Sequence, residues 1–211
     1  MTDRKTSPLS SRRQPRQARS NDLVAAILEA AVQVLSAEGA RRFTTTRVAE
    51  RAGVSVGSVY QYFPNKASIL FRLQSDEWQQ TTDMLRRILE DRETEPLERL
   101  RRLVHAFIRS ECEEAAVRTA LADAAPLYRD APEAQAARSA ADKSIDRFMQ
   151  ELLPDVPKAA RARATDLVVT TLSAVGKKFS SSPRSAAEIR AYADAMADMF
   201  CAWLNGLRTG R

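Results

Sequence analysis

Apolar residues recur along this chain three and four positions apart, the spacing that places them on one face of a helix. Leu23, Val24, Ile27, Leu28, Ala31, Val34 and Leu35 form the first such face, starting after Asn21 and stopping at Gly39. Two short pieces follow, one on Val48, Ala49 and Ala52 and one on Val59 and Phe63, before a long stripe through Ile69, Leu70, Leu73, Thr81, Met84, Leu85 and Ile88 to about Leu89. Pro96 suits the first turn of a helix on Leu97, Leu100, Leu103, Val104, Phe107, Ile108 and Cys112. A shorter piece covers Val117 to Ala125, and a helix through Ala137, Ala141, Ile145, Phe148, Met149 and Leu152 is closed by Pro154 and Pro157. Two helices of about twenty residues end the chain, striped by Leu167, Val168, Leu172 and Phe179 and by Ile189, Met196, Phe200 and Leu207. The pattern predicts an all-α protein of about nine helices.

Composition agrees, with only 6 glycines in 211 residues and abundant alanine. The N-terminus is basic and polar, and no run of eighteen apolar residues is evident. Neither a membrane span nor a signal peptide is therefore expected, and a cytoplasmic protein is. Cys112 and Cys201 each sit among apolar helix residues and read as small hydrophobes, with no basic neighbourhood to activate a thiol. A single histidine, His105, and no CxxC pair leave no metal site, and neither a Ser/His/Asp nor a Cys/His set nor a phosphate-cradling glycine loop is present. An enzyme and a bound cofactor are not expected. Charge changes the picture more. Residues 1–66 hold 11 Lys or Arg against 5 Asp or Glu, while the remainder is balanced at 22 against 22, so the whole excess of +6 lies in the first third. A basic surface of that kind suits a phosphate backbone.

That third contains the most informative stretch, Thr44 to Leu70, TTTRVAERAGVSVGSVYQYFPNKASIL. The threonines offer an N-cap, Gly53 a left-handed stop, Ser55 a second cap, and Pro64 an end to the second helix, which is expected to run from Val56 to Phe63. This is the grammar of a helix-turn-helix. Gly57 costs that helix about 1 kcal/mol relative to alanine, which makes sense where something must approach the backbone, such as a DNA strand. Lys66, in the first turn after Asn65, faces an unfavourable helix dipole unless an outside anion lies there.

GVSVGSVYQYFPNKASIL, preceded by TTTRVAERA, resembles the signature of the tetracycline-repressor (TetR) family of transcriptional regulators, with Gly53, Tyr60, Tyr62, Phe63 and Lys66 matched without a gap. The resemblance covers roughly residues 22 to 70. It implies that Thr45, Tyr60, Tyr62 and Lys66 hold phosphates of double-stranded DNA, that Thr46, Val56, Gly57 and Ser58 face base edges, and that Gln61 joins either group. Val56 is short and apolar, so contact with thymine methyls is expected of it rather than bidentate hydrogen bonding. One reading helix spans few base pairs. Useful selectivity therefore needs two copies about 34 Å apart, hence a homodimer on a palindromic operator.

The expected organisation is a disordered basic arm at 1–20, a helix-turn-helix domain at 21–66 and a ligand-sensing and dimerisation domain at 67–211. In the arm, Arg12, Arg13, Arg16 and Arg19 are candidates to ride along the duplex or enter a minor groove. By the same resemblance the last two helices pack against their copies as a four-helix bundle. Ala164, Leu167, Val168, Thr171, Val175, Tyr192, Met196, Met199, Phe200 and Trp203 are the candidate dimer residues. Ala174, Gly176, Ala193 and Ala197 would allow close helix approach. The middle helices are expected to enclose a pocket for a small, largely apolar effector that releases the DNA. Its candidate walls are Trp78, His105, Phe107, Cys112 and Leu121, with Tyr128, Phe148, Met149, Leu172 and Val175. The alternative is an architectural DNA-binding protein that needs no effector.

Overall fold

The structure, a computed structural model, describes residues 13–127 and 144–210, with side chains from Ser20 onward in the first helix. Nine α-helices and one short 3-10 turn, Ala125–Leu127, are present among the described residues, which contain no strand. They are α1 (Arg13–Arg42), α2 (Thr45–Ala52), α3 (Val56–Tyr60), α4 (Lys66–Leu89), α5 (Pro96–Glu113) and α6 (Ala115–Ala124). After these come α7, described over 144–152, then α8 (Lys158–Phe179) and α9 (Ala186–Thr209). The chain divides into two compact units, Met1–Leu73 and Gln74–Arg211, and the division falls inside α4.

In the first unit, α1 starts at Arg13 rather than at the expected Asn21, inside the stretch expected to lack regular structure. Gln14, Arg16, Gln17, Ala18 and Arg19 are good helix formers, and Pro15 is tolerated in a first turn. The helix is interrupted at Gly39, with φ 73° and ψ 171°, where the apolar stripe also ends. Contrary to the expectation of no membrane-length helix, Ser20–Arg42 is long and apolar enough to span a bilayer by length and composition. Three acidic residues, Asp22, Glu29 and Glu38, interrupt that stretch, and its Ile27, Ala31, Val34 and Leu35 are at most 1% exposed. With Phe43, Val48, Val59, Phe63 and Ile69 they make the small core on which α2 and α3 rest.

The second unit has its own core. Leu100, Val104 and Ile108 of α5 pack with Met149 and Leu153, with Val168 of α8 and with Ala197 and Leu204 of α9. α5 is the central element, lying against both α8 and α9. At Gly176 an added methyl would come within 3.0 Å of the Phe107 ring and 3.2 Å of Glu111 Cγ, so α8 approaches α5 at a distance only glycine permits. Gly176 therefore serves the packing of α8 on α5 within one chain. Arg99, 1% exposed, donates to Leu89 O at 2.5 Å, pairs with Glu151 and lies 5.4 Å from the Phe148 ring centroid. One buried guanidinium thus ties the end of α4 to α5 and α7, while its Nε has no partner.

Candidate nucleic-acid interface and helical cleft

The helix-turn-helix is built by its caps. Thr44 Oγ1 accepts from the Arg47 amide at 3.2 Å at the head of α2. Gly53, at φ 67°, closes the helix as Val54 N–H donates to Ala49 O at 3.0 Å and Gly53 N–H to Glu50 O at 3.2 Å, the Schellman pair that satisfies otherwise orphaned carbonyls. Two residues on, Ser55 Oγ accepts from the Ser58 amide at 3.0 Å and opens α3. Regular helix there covers five residues, shorter than the eight expected. Tyr62 and Phe63 both turn their amides to Val59 O, because the residue before Pro64 is driven out of helical geometry. Asn65 Oδ1 then caps α4 by accepting from Ser68 N–H at 2.9 Å, leaving Lys66 exposed in its first turn.

The residues expected to meet DNA separate into two kinds. Thr46, Gly57, Tyr60, Gln61 and Lys66 are exposed, and Val56, Ser58 and Tyr62 are half-buried. Thr45 differs. It is 8% exposed and its hydroxyl lies 3.2 Å from the Tyr60 hydroxyl, where it holds that phenol in place. Tyr62 is held similarly, its hydroxyl accepting from Ser20 Oγ at 3.1 Å. Around Gly57 an added methyl would meet nothing nearer than Ser55 Oγ at 3.7 Å, and the backbone has no positive φ, so nothing among the described residues requires glycine there. Arg41, Arg42, Arg47 and Arg51 add exposed positive charge, of which Arg47 is paired with Glu38. Arg12 lies outside the described residues, as do the side chains of Arg13, Arg16 and Arg19.

Within the second unit, α4, α5, α6 and α8 border a cleft of about 820 Å³. Trp78, Leu85, Phe107 and Val169 supply apolar wall, and Glu77, Thr81, Glu111 and Arg118 a contiguous polar cluster. Arg118 pairs with Glu77 at 3.0 Å, with Glu114 at 2.9 Å and with Glu111, and donates to Ser110 Oγ at 2.7 Å. Glu77 also accepts from Gln74 at 2.9 Å and from Thr81 at 3.1 Å. Burial pushes the Glu77 carboxyl above its ordinary pKa even though Arg118 and Thr81 pull it down. Sequence reasoning missed this cluster. Its trace was Gln74, Glu77 and Thr81 at helical spacing within an apolar stripe, facing Glu111, Glu114 and Arg118 at the same spacing.

Of the expected pocket residues, Trp78 and Phe107 line the cleft, and Leu172 lines a smaller adjoining cavity that shares Leu85 and Phe107 with it. The others lie elsewhere. His105 Nε2 faces Asp194 Oδ1 at 3.0 Å, joining α5 to α9. Leu121, Phe148 and Met149 are core, Val175 packs against that core, and Cys112 is half-buried away from the cleft. Burial raises the pKa of Cys112 and Cys201, which keeps both as thiols. Tyr128 lies outside the described residues.

The expected dimer residues divide in the same way. Ala164, Val168, Met196 and Phe200 are at most 6% exposed within one chain, so they belong to its core. Leu167 and Met199 are each 51% exposed, and Tyr192 and Trp203 each 37%. Thr171 and Val175 are half-buried. Tyr192 stacks on Phe179 at 3.9 Å between ring centroids, fixing the head of α9 against the end of α8.

Comparison with known proteins agrees with this architecture. The family described as "Bacterial regulatory proteins, tetR family" matches residues 27–73, and "Tetracyclin repressor-like, C-terminal domain" matches residues 95–207. Nucleoid occlusion factor SlmA of Vibrio campbellii is 39% identical over 83 residues, 39% of this chain and 42% of that protein, so the match spans less than half of this curated relative. A TetR-family regulator from Mesorhizobium loti superposes with TM-score 0.68 at 20% identity, covering 88% of this chain and 98% of the other. The regulator FadR from Bacillus subtilis, solved in complex with stearoyl-CoA, superposes with TM-score 0.61 at 16% identity over 84% of this chain and 97% of its own. The chain belongs to the TetR family of DNA-binding transcriptional regulators.

Proposed function

We propose that this regulator acts in the cytoplasm as a homodimeric repressor, reads a palindromic operator through the major groove, and is released by a small, largely apolar effector. The observation that carries the reading is Gly57, a helix glycine on an exposed surface that no contact among the described residues explains. A nucleic-acid strand close to the backbone supplies the missing reason. Thr46, Val56, Ser58 and Gln61 lie around it as base-facing candidates, and Tyr60, Tyr62 and Lys66 flank them as phosphate holders.

The exposed Leu167, Met199 and Trp203 support dimerisation through α8 and α9, since large apolar side chains grouped on two helices favour a partner surface. The cleft supports the effector. For a tenfold loss of operator affinity, effector binding must differ by about 1.4 kcal/mol between the two states. A solved neighbour holds stearoyl-CoA, so acyl compounds belong among the first candidates.

The test is selection of bound duplexes from a random pool, followed by release assays. A palindromic consensus bound by two chains, and its release by a compound that also raises the thermal midpoint, is the expected result. A monomer on DNA, or no selected consensus, overturns it. The similarity to a nucleoid occlusion factor favours a second reading, an architectural DNA-binding protein that needs no effector. Chromatin mapping separates the two, because a repressor occupies few promoter sites.

A further inference from the structure

Among the described residues lining the cleft, Arg118 is the only cation held largely out of solvent, and it is shared by Glu77 and Glu111 there and by the more exposed Glu114. The two carboxylates enclosed with it, Glu77 and Glu111, therefore outnumber it by one charge when all are ionised. Lys177 also lines the cleft but is exposed, where solvent screens it. An anionic head group entering here would have to take Arg118 from its carboxylates and leave them buried without a counter-charge. A cation meets the opposite situation: it finds carboxylates whose single counter-ion is divided among them. Burial is the main reason the proton affinity of Glu77 is raised, with the nearby Glu114 and Glu111 adding to it and Arg118 opposing it. Two aromatic side chains, Trp78 and Phe107, border the same space, and aromatic faces attract cations and apolar bodies alike.

We infer that the cleft selects effectors that are apolar cations, such as lipophilic amines or onium compounds, with the charge placed beside Glu77 and Glu111 and the apolar body against Trp78, Leu85, Phe107 and Val169. The inference rests on the effector-sensing reading and narrows it to one chemical class. Opposite charges at equal size decide it. Tetraphenylphosphonium and tetraphenylborate share shape and apolar area, so the difference in their affinities isolates the sign of the charge.

Titration calorimetry on the full-length protein is the experiment. Tetraphenylphosphonium is expected to bind at least tenfold more tightly than tetraphenylborate. Glu77→Gln combined with Glu111→Gln is expected to remove that preference, whereas Lys177→Ala leaves it unchanged or increases it. Should the double substitution fail to fold by circular dichroism, Glu77→Gln alone supplies the test, since it removes one enclosed charge while keeping nearly the same shape. It is expected to cut phosphonium affinity at least fivefold. Equal affinities, a preference for the borate, binding of neither ion, or a preference that survives the substitutions overturns the inference. If neither ion binds but lauroyl-CoA releases the protein from its selected operator, effector sensing stands and the cationic class alone is rejected.

Discussion

The Thr45 hydroxyl lies 3.2 Å from the Tyr60 hydroxyl, joining the first residue of α2 to the last residue of α3. A buried threonine thereby fixes the orientation of a tyrosine that is 51% exposed. With Ser20 bonded to the Tyr62 hydroxyl, both phenols are set before any duplex arrives. Tyr60→Phe is expected to weaken binding to all duplexes without changing which sequence is preferred. Lys66→Ala should do the same and reduce the slope of log affinity against log salt by about 0.9 per protomer, the share of one neutralised phosphate. Ser58→Ala should instead alter site preference. Fluorescence anisotropy at several salt concentrations, with operator and scrambled duplexes, measures all three.

Gly57→Ala separates folding from recognition. The added methyl finds open space, and alanine gains up to about 1 kcal/mol over glycine in helix propensity. The variant should melt no lower than the parent protein while its operator affinity falls at least tenfold. A stable variant with full affinity would show that no strand approaches this backbone.

Wherever one side chain decides the local structure, the sequence was sufficient. The Gly53 stop, the Ser55 and Asn65 caps and the start of α5 at Pro96 all lie where their chemistry requires. Long periodic faces likewise gave α4, α8 and α9 to within a few residues. The reading failed where an outcome depended on which of two apolar surfaces a residue meets. Val168 and Leu167 are adjacent on α8, one buried in the chain and the other half-exposed, and a stripe of period 3.6 does not separate core from interface when the two faces adjoin. The pocket was read from aromatic and sulfur side chains, whereas its polar wall is an ion cluster drawn from three helices. Spacing along the chain marks the polar positions on each helix but not that they meet.

Leu167→Glu combined with Met199→Glu tests the pairing of two copies. Both side chains are 51% exposed, so the folded monomer should tolerate the charges, while a dimer would bury four like charges close together. Light scattering after size exclusion should show one chain per particle, with unchanged helical content and at least a hundredfold weaker operator binding. Val168→Glu is the contrast, expected to unfold the chain because Val168 is 1% exposed.

Glu77 gives the second unit a pH dependence whose sign follows from its environment. Its native pKa lies above the ordinary carboxylate value, chiefly through burial, so between the two values the native state holds more proton than the unfolded state. Stability from this group therefore falls as pH rises through that window. Urea midpoints of the parent protein relative to Glu77→Gln, measured across the weakly acidic range, should drop with rising pH. A flat or rising difference contradicts the assignment.

Gly176→Ala should behave oppositely to Gly57→Ala. Helix propensity favours alanine at both sites by the same margin, so the difference lies in what the methyl meets. At Gly176 it comes within 3.0 Å of the Phe107 ring and 3.2 Å of Glu111 Cγ, and neither neighbour yields easily. Phe107 packs in the core beneath the cleft, and Glu111 is pinned to Arg118. Overpacking of this kind costs about 1–3 kcal/mol, which outweighs the propensity gain. A lowered urea midpoint is therefore expected for Gly176→Ala. Because Phe107 and Glu111 also border the cleft, ligand affinity should change in the same variant while affinity for DNA in the absence of ligand does not. Unaltered stability would mean that α8 and α5 separate without loss, and that glycine there is not what sets their spacing.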